Sequence, residues 1–250
     1  MESQVQKMLD EGVIRESNSP LSAPAIFVPK LSLDGKPRYR FCVDFRALNA
    51  VTKFDSYPLT LIEETTSTLH GSREFSVLDC YSGFWQVSIK VEHKECTAFT
   101  IPSGHYELNR IPFGLSNSPA NFHRLMDRVL RSIVGSECWV FLDDVVNYTK
   151  TIEEHAQRLE SILHRFDEGN LQLHPEKCKF ARPQVQYVGF VLSEKGVSAL
   201  DDKVKAVKEY PIPKNVRHVR AFIGLAFFYP KLVPDFAERA RHITLLTKND

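Results

Sequence analysis

Trp139-Val140-Phe141-Leu142-Asp143-Asp144-Val145-Val146 places two ionised side chains inside a run that otherwise belongs in a core. Burying a lone carboxylate costs several kcal/mol unless a cation compensates it. Successive side chains of a straight strand point to opposite faces, so a shared role for the two acids requires a hairpin tip. An exposed β-turn is the plain alternative, and for an arbitrary Asp-Asp pair it is the default. A second acid shifts the balance. Phe75-Ser76-Val77-Leu78-Asp79 is a β-like segment ending in a carboxylate, and Ser82-Gly83-Phe84 follows it. Two strand-borne acidic sites brought together could hold Mg²⁺, which prefers hard oxygen ligands. A pair of such ions roughly 3.5–4 Å apart stabilises both the attacking and the leaving oxygens of phosphoryl transfer. Paired carboxylates also serve glycoside hydrolysis, but no aromatic-lined sugar subsite is identifiable here.

Outward from this stretch, Phe122, Leu125, Met126, Val129 and Leu130 recur at steps of three and four, predicting a helix with one buried face over Pro119 to Val134. Glu153 to Phe166 reads as a second helix, with Thr151 as cap, Glu154 completing a capping box, and Gly169-Asn170 ending it. Toward the N-terminus, Val5, Met8, Leu9 and Val13 predict a short amphipathic helix ending near Gly12. Ala25 to Pro29 and Tyr39 to Phe45 read as strands flanking the turn dipeptide Asp34-Gly35, with Lys30 and Arg40 on that hairpin. A helix is expected over about Thr60 to Leu69, and strand-like segments at Glu74 to Leu78 and Gln86 to Ile89. Short strands are expected around Lys179 and from Tyr187 to Ser193. From about Asp201 the chain reads as helical, broken at Pro211, Pro213, Pro230 and Pro234.

The 250 residues, 43% hydrophobic and 25% charged, suffice for two modest cores. With 32 basic and 31 acidic residues, the overall balance does not announce a polyanion partner, so any nucleic-acid surface must be local. Basic clusters occur at Lys36, Arg38, Arg40 and Arg46, and at Lys203, Lys205, Lys208, Lys214, Arg217 and Arg220, although such runs are commonly solvated faces. The five cysteines are far apart in sequence, without a C-x-x-C pair, and read as thiols in a reducing compartment. No basic start precedes an apolar stretch, and the apolar segment Ala221 to Val233 is broken by Gly224, Pro230 and Lys231, so neither secretion nor a membrane span is expected.

Four motifs in order now carry a specific resemblance. Tyr39-Arg40-Phe41-Cys42-Val43-Asp44-Phe45-Arg46-Ala47-Leu48-Asn49 resembles the fingers motif of retroelement reverse transcriptases. Leu78-Asp79-Cys80-Tyr81-Ser82-Gly83-Phe84-Trp85-Gln86 resembles their first palm motif, and Ile111-Pro112-Phe113-Gly114-Leu115-Ser116-Asn117-Ser118-Pro119-Ala120-Asn121-Phe122 their template and nucleotide loop. Phe141-Leu142-Asp143-Asp144 stands at the aromatic-x-Asp-Asp signature. The wording Pro112-Phe113-Gly114-Leu115 and the tail Val219-Arg220-Ala221-Phe222-Ile223-Gly224-Leu225 are similar to gypsy-type LTR retrotransposons. The resemblance implies an α+β right-hand polymerase: fingers and a palm with a small antiparallel sheet over 1–192, then a helical thumb-like segment over 193–250.

By the same resemblance, Asp79, Asp143 and Asp144 bind two Mg²⁺ ions, with Mn²⁺ as a substitute. The primer 3'-hydroxyl attacks the α-phosphate of a dNTP, giving RNA-directed DNA polymerase activity. Phe84 stands where the family has an aromatic gate against the ribose 2'-hydroxyl; a plain core phenylalanine is the alternative. Arg40 and Lys30 match positions that grip the triphosphate. Phe113 and Gly114 lie beside the nascent base pair, and Lys177 is the candidate general acid for pyrophosphate. Tyr187, Val188 and Gly189 resemble the primer grip; with Phe141, Arg220, Gly224 and Phe228 they are expected to face primer and template, the last three along one helix face.

The departures are Phe141 where the family has Tyr, Asn147 where it has an apolar residue, and Pro230 where a thumb helix would continue. A parent polyprotein carrying RNase H and integrase is implied, as is a place in a cytoplasmic retroelement particle or the nucleus. Other readings are a decayed fragment that binds primer-template without catalysis, and a metal-dependent nuclease.

Overall fold

Along the chain, the strands of the computed structural model are β1 (Ile14–Glu16), β2 (Ala23–Lys30), β3 (Arg38–Val43), β4 (Glu74–Asp79), β5 (Phe99–Ile101) and β6 (Gly104–Leu108), then β7 (Cys138–Phe141), β8 (Asp144–Thr149), β9 (Lys179–Arg182), β10 (Gln184–Tyr187), β11 (Phe190–Ser193) and β12 (Gly196–Ala199). The structure describes residues 2–30, 38–58, 69 and 71–247. The Asp34-Gly35 turn and nearly all of the helix expected over Thr60 to Leu69 therefore lie outside the described residues.

The described strands form three sheets. One has the order β7-β8-β4-β9, antiparallel throughout, which is the small palm sheet the motifs imply. Helices Ser118–Leu130 and Ile152–Glu168 cover it. Phe122, Met126 and Leu130, at steps of four, are fully buried against Leu78, Val140 and Val145 of the sheet and Ile162 and Phe166 of the second helix. That apolar stripe is what the 3.6-residue period dictates, and truncating one such core leucine or methionine to Ala costs about 2–5 kcal/mol. The first of these helices ends at Leu130, four residues before the expected Val134, because the chain turns there to reach β7.

The capping box forms only in half. Thr151 Oγ1 accepts the Glu154 N–H at 3.3 Å, whereas the Glu154 carboxylate pairs with Arg158 at 2.6 Å. A cation at i+4 on the same helix face competes for the carboxylate.

A second sheet, β1-β6-β5-β2-β3, carries the antiparallel pair β2–β3, with Val28 opposite Arg40 and Lys30 opposite Arg38. It packs with helix Glu2–Asp10 through Val5, Met8, Phe99 and Leu108. The third sheet, β10-β11-β12, places Val188 and Gly189 in the turn between β10 and β11, both in the left-handed region (φ 47° and 82°), as a tight hairpin requires. The strand segment expected from Tyr187 to Ser193 thus opens on a hairpin turn, in keeping with the primer-grip hairpin that Tyr187-Val188-Gly189-Phe190 resembles, and the division after residue 192 falls within β11. Helices Asp201–Lys208, Val216–Ala226 and Phe236–Leu245 follow, with Pro230 opening a short 3₁₀ turn beyond the second.

Gln86 to Ile89 is not a strand. Gly83–Gln86 is a 3₁₀ turn, and the alternation beyond it contributes one bridge, Ser88 to Arg110. The Gln86 amide is taken up by other backbone: its Nε2 donates to the carbonyls of Tyr81 and Gln172, both at 2.8 Å, and its Oε1 accepts the Gln172 N–H at 2.7 Å. Among the described residues, no helix is long and apolar enough to cross a membrane.

Candidate active site

β7 and β8 close through a two-residue tip. Phe141 pairs with Asp144, leaving Leu142 and Asp143 as the turn, with Leu142 at φ 56°. A left-handed non-glycine residue costs roughly 1–2 kcal/mol, a strain the flanking ladder sustains. The two acids are therefore not locked on opposite faces of one strand. β4 runs beside β8 with Asp79 directly opposite Asp144, and directly opposed residues share a face. Asp79 and Asp144 thus meet at the sheet end, and Asp143 projects from the tip beside them.

The electrostatics follow from this crowding. Burial first, then the neighbouring charges of Asp143 and Asp79, push the Asp144 carboxyl up to about 6, against the opposing Lys177 ammonium. Lys177 Nζ lies 3.0 and 3.4 Å from the two Asp79 carboxylate oxygens. Its loop is tied to the end of β4: His174 N donates to Asp79 O at 2.8 Å, and Lys177 N to His174 O at 3.0 Å. Among the described residues, the carboxylates do not close into a ready-made ligand cluster of three or more. Their all-oxygen donor set and mutual repulsion nevertheless suit a hard divalent cation, whose charge would relieve the strain that raises Asp144.

Gly83 explains why the turn after β4 approaches the tip so closely. A Cβ on it would lie 3.0 Å from Phe122 Cζ and 3.4 Å from Asp143 Cβ. Ser82, left-handed at φ 47°, turns the chain into this position. Gly83→Ala is expected to cost about 1–3 kcal/mol by overpacking against the buried Phe122 ring, and to displace Asp143. A lowered melting temperature checks this; a variant as stable as the parent would show that the contact relaxes freely.

Phe84 is half-buried and bridges two other rings. Its ring packs against buried Phe122 (centroids 5.7 Å) and reaches out to the exposed Phe113 (4.8 Å). Gly114, at φ 97°, brings backbone past Phe45 and Val43. Asn49, a motif residue to which sequence alone assigns no role, clamps this loop: Nδ2 donates to Gly114 O at 2.7 Å and Oδ1 accepts the Ser116 N–H at 2.9 Å. Asn117 likewise holds the segment 53–55, and Arg124 pairs with Asp55 at 2.9 Å. Arg46 is engaged locally, and its guanidinium holds the Asp44 carboxyl down to about 2. Lys30 and Arg40 sit on the paired strands β2 and β3; their side chains lie outside the described residues.

Two primer-side expectations need correction. Tyr187 is 4% exposed, and its hydroxyl lies 3.5 Å from the Asp144 carbonyl, so it supports the floor of the site and offers no surface to a primer. β-strand alternation turns it inward while Val188 and Gly189 hold the turn. Phe228 is not on the helix face of Arg220 and Gly224, because that helix ends at Ala226. It lies over the β10–β11 turn, stacked on Phe190 at 5.8 Å and near Gly189, whose added Cβ would meet it at 3.0 Å. Tyr229, beside it, donates to Gly189 O at 2.7 Å. Arg220 and Gly224 are exposed, with Arg220 donating to Thr247 O at 3.3 Å. Phe141 is half-buried against the cluster of Trp139 and Tyr187.

Residues 28–192 match the reverse transcriptase (RNA-dependent DNA polymerase) family. The chain is 37% identical over 249 residues to the retrovirus-related Pol polyprotein from transposon 297 of Drosophila melanogaster, covering 99% of this chain and 24% of that protein. It is equally 37% identical over 250 residues to that from transposon gypsy of the same organism, again covering 99% of this chain and 24% of the relative. The chain thus spans about a quarter of the length of these relatives. Among solved structures, the foamy viral protease-reverse transcriptase in complex with double-stranded DNA superposes with a TM-score of 0.88 at 24% identity, covering 100% of this chain and 43% of that one. That likeness gives the right-hand polymerase fold. The chain belongs to the reverse transcriptase family, alongside the Pol polyproteins of gypsy-type retrotransposons.

Proposed function

We propose that this chain is an RNA-directed DNA polymerase that adds dNTPs to the 3'-hydroxyl of a primer on an RNA or DNA template. The observation that carries the reading is the register of β4 and β8, which sets Asp79 against Asp144 with Asp143 at the adjoining tip. All three would hold Mg²⁺, or Mn²⁺ in its place. Two such ions, when bound, stabilise the attacking primer oxygen and the leaving pyrophosphate. The chain's own groups do the rest. Phe84, in ring contact with Phe113 and next in the chain to the Gly83 that approaches Asp143, is assigned as the gate against a 2'-hydroxyl, and Gly114 is assigned to close approach of backbone to the base pair. Lys177, held at Asp79, is assigned as proton donor to the departing pyrophosphate. Arg40 and Lys30 are assigned to the triphosphate. The hairpin turn at Val188 and Gly189, buttressed by Phe228 and Tyr229, is assigned to the primer, with the exposed Arg220 and Gly224 toward the duplex. Fingers and palm over 1–192 and a thumb over 193–250 remain the working division, in a parent polyprotein that works inside a retroelement particle.

Extension of a DNA primer on RNA and on DNA templates, with Mg²⁺ and with chelator, tests the proposal. Metal-dependent extension supports it. Duplex binding without extension, from a folded chain, would replace it with the decayed, binding-only reading that Phe141 suggests.

A further inference from the structure

β9 is the edge strand of the palm sheet, and the loop just before it carries Lys177 to Asp79. All four β9 side chains are exposed, so apolar burial does not fix its position. Its ladder to β4 is also interrupted: Phe75 opposes Arg182 and Val77 opposes Lys179, so two residues of β9 face one of β4, with Ala181 left-handed at φ 45°. Such a bulge takes a backbone N–H out of the ladder. Here Ser76 Oγ accepts it, from Ala181 N at 3.0 Å.

Ser76 is completely buried and continues inward. Its Oγ lies 2.6 Å from His155 Nε2, and His155 Nδ1 lies 2.9 Å from Thr149 Oγ1. Thr149 Oγ1 spends its single proton on Thr151 O at 3.0 Å, so it must accept from Nδ1. Nε2 is then the acceptor and Ser76 the donor. Every group in the chain Ala181 N–H, Ser76 O–H, His155 and Thr149 O–H is satisfied by one tautomer, the neutral imidazole protonated on Nδ1. Burial, the largest influence, lowers the imidazole below its ordinary 6.5; of the charges that face it, Arg158 acts in the same sense, and Glu74 and Glu154 oppose it.

We infer that His155 is a positioning residue for the polymerase site: it links the start of helix Ile152–Glu168 through Ser76 to the bulge of β9, and so sets the loop that holds Lys177 on Asp79. The catalytic consequence rests on the function proposed above; the structural one does not. Thr149→Val, near in shape and lacking the hydroxyl, discriminates best, because it keeps the backbone ladder from β8 through β4 to β9 and removes the hydroxyl whose path to β9, among the described hydrogen bonds, runs through His155 and Ser76. Both Thr149→Val and Ser76→Ala are expected to speed hydrogen exchange of the Ala181 amide at least about tenfold, with unchanged circular dichroism. Both are also expected to slow single-nucleotide incorporation about tenfold without changing the KM for dNTP, and this loss should shrink in a Lys177→Ala background. Unchanged exchange at Ala181 in folded Thr149→Val would overturn the relay even if the chain polymerises. Altered exchange in both variants from a parent without polymerase activity would uphold the relay and remove only the catalytic reading. Loss that is fully additive with Lys177→Ala would overturn the route through Lys177.

Discussion

Asp144→Asn is expected to melt at a higher temperature than the parent at pH 7.5 while losing nucleotide incorporation by roughly 10²–10³-fold. The two effects have one cause. Asp144 titrates at about 6 in the fold against an ordinary 3.8, because it is half-buried beside Asp143 and Asp79. A carboxyl whose folded value is raised binds more protons in the native state between those two values. Stability therefore falls as pH rises through about 3.8 to 6 and the penalty is complete above it. The neutral amide removes that penalty, a gain of about 1–2 kcal/mol after allowance for partial exposure, or roughly 2–8 °C for a chain of this size. Below pH 4 the difference between parent and variant should largely vanish. Mg²⁺ should raise the melting temperature of the parent more than that of Asp144→Asn. A variant no more stable than the parent at any pH would mean that solvent already screens the carboxylates.

Phe84→Val is expected to lower discrimination between a dNTP and the matching rNTP by about 10²-fold, seen in the ratio of their kcat/KM values. The ring bridges two environments, buried Phe122 on one side and exposed Phe113 on the other. Shortening it opens space on the exposed side, where, on the function proposed above, a 2'-hydroxyl would otherwise meet the ring edge. A modest fall in melting temperature should accompany this, since contacts with Phe122 are lost as well. If stability falls and the ratio holds, Phe84 is a core residue only. That plain alternative is what its contact with Phe122 alone would suggest.

The architecture was legible where it depends on period and punctuation. The stripe Phe122, Met126, Leu130 gave the helix behind the sheet, and the lone acids in apolar runs gave the hairpin tip and the end of β4. Gln86 to Ile89 misled because its alternation is strand-like, while the feature that decides its structure is one amide reaching Gln172, far along the chain. Asn49 at Gly114, Gly83 under Asp143 and the His155 relay share that character. Each depends on contacts between residues of distant segments, and such contacts leave no periodic trace. Gly83 had a weak signal in its position beside the motif acid. The motif resemblance sets Tyr187 toward the primer; alternation about the Val188-Gly189 turn sends it inward instead. For Phe228, extrapolating helix steps of four past Ala226 ignored the stop that Pro230 foreshadows.

The geometry around Asp143 also bears on the missing tyrosine hydroxyl. Phe141 is half-buried beside Trp139 and Tyr187, so its ring supports the hairpin whether or not it carries a hydroxyl. Retention of the tip with an altered primer contact is therefore the expected consequence, not collapse of the carboxylate-bearing end.

The central claim is that Asp79, Asp143 and Asp144 form a working polymerase centre, and single-turnover addition of one dNTP to a DNA primer on an RNA template tests it most directly. With Mg²⁺ present, the parent should add the templated nucleotide and Asp143→Asn should bind the same duplex but fail to add it. Equal incorporation by both proteins, or none by a folded parent that binds the duplex, would contradict the account.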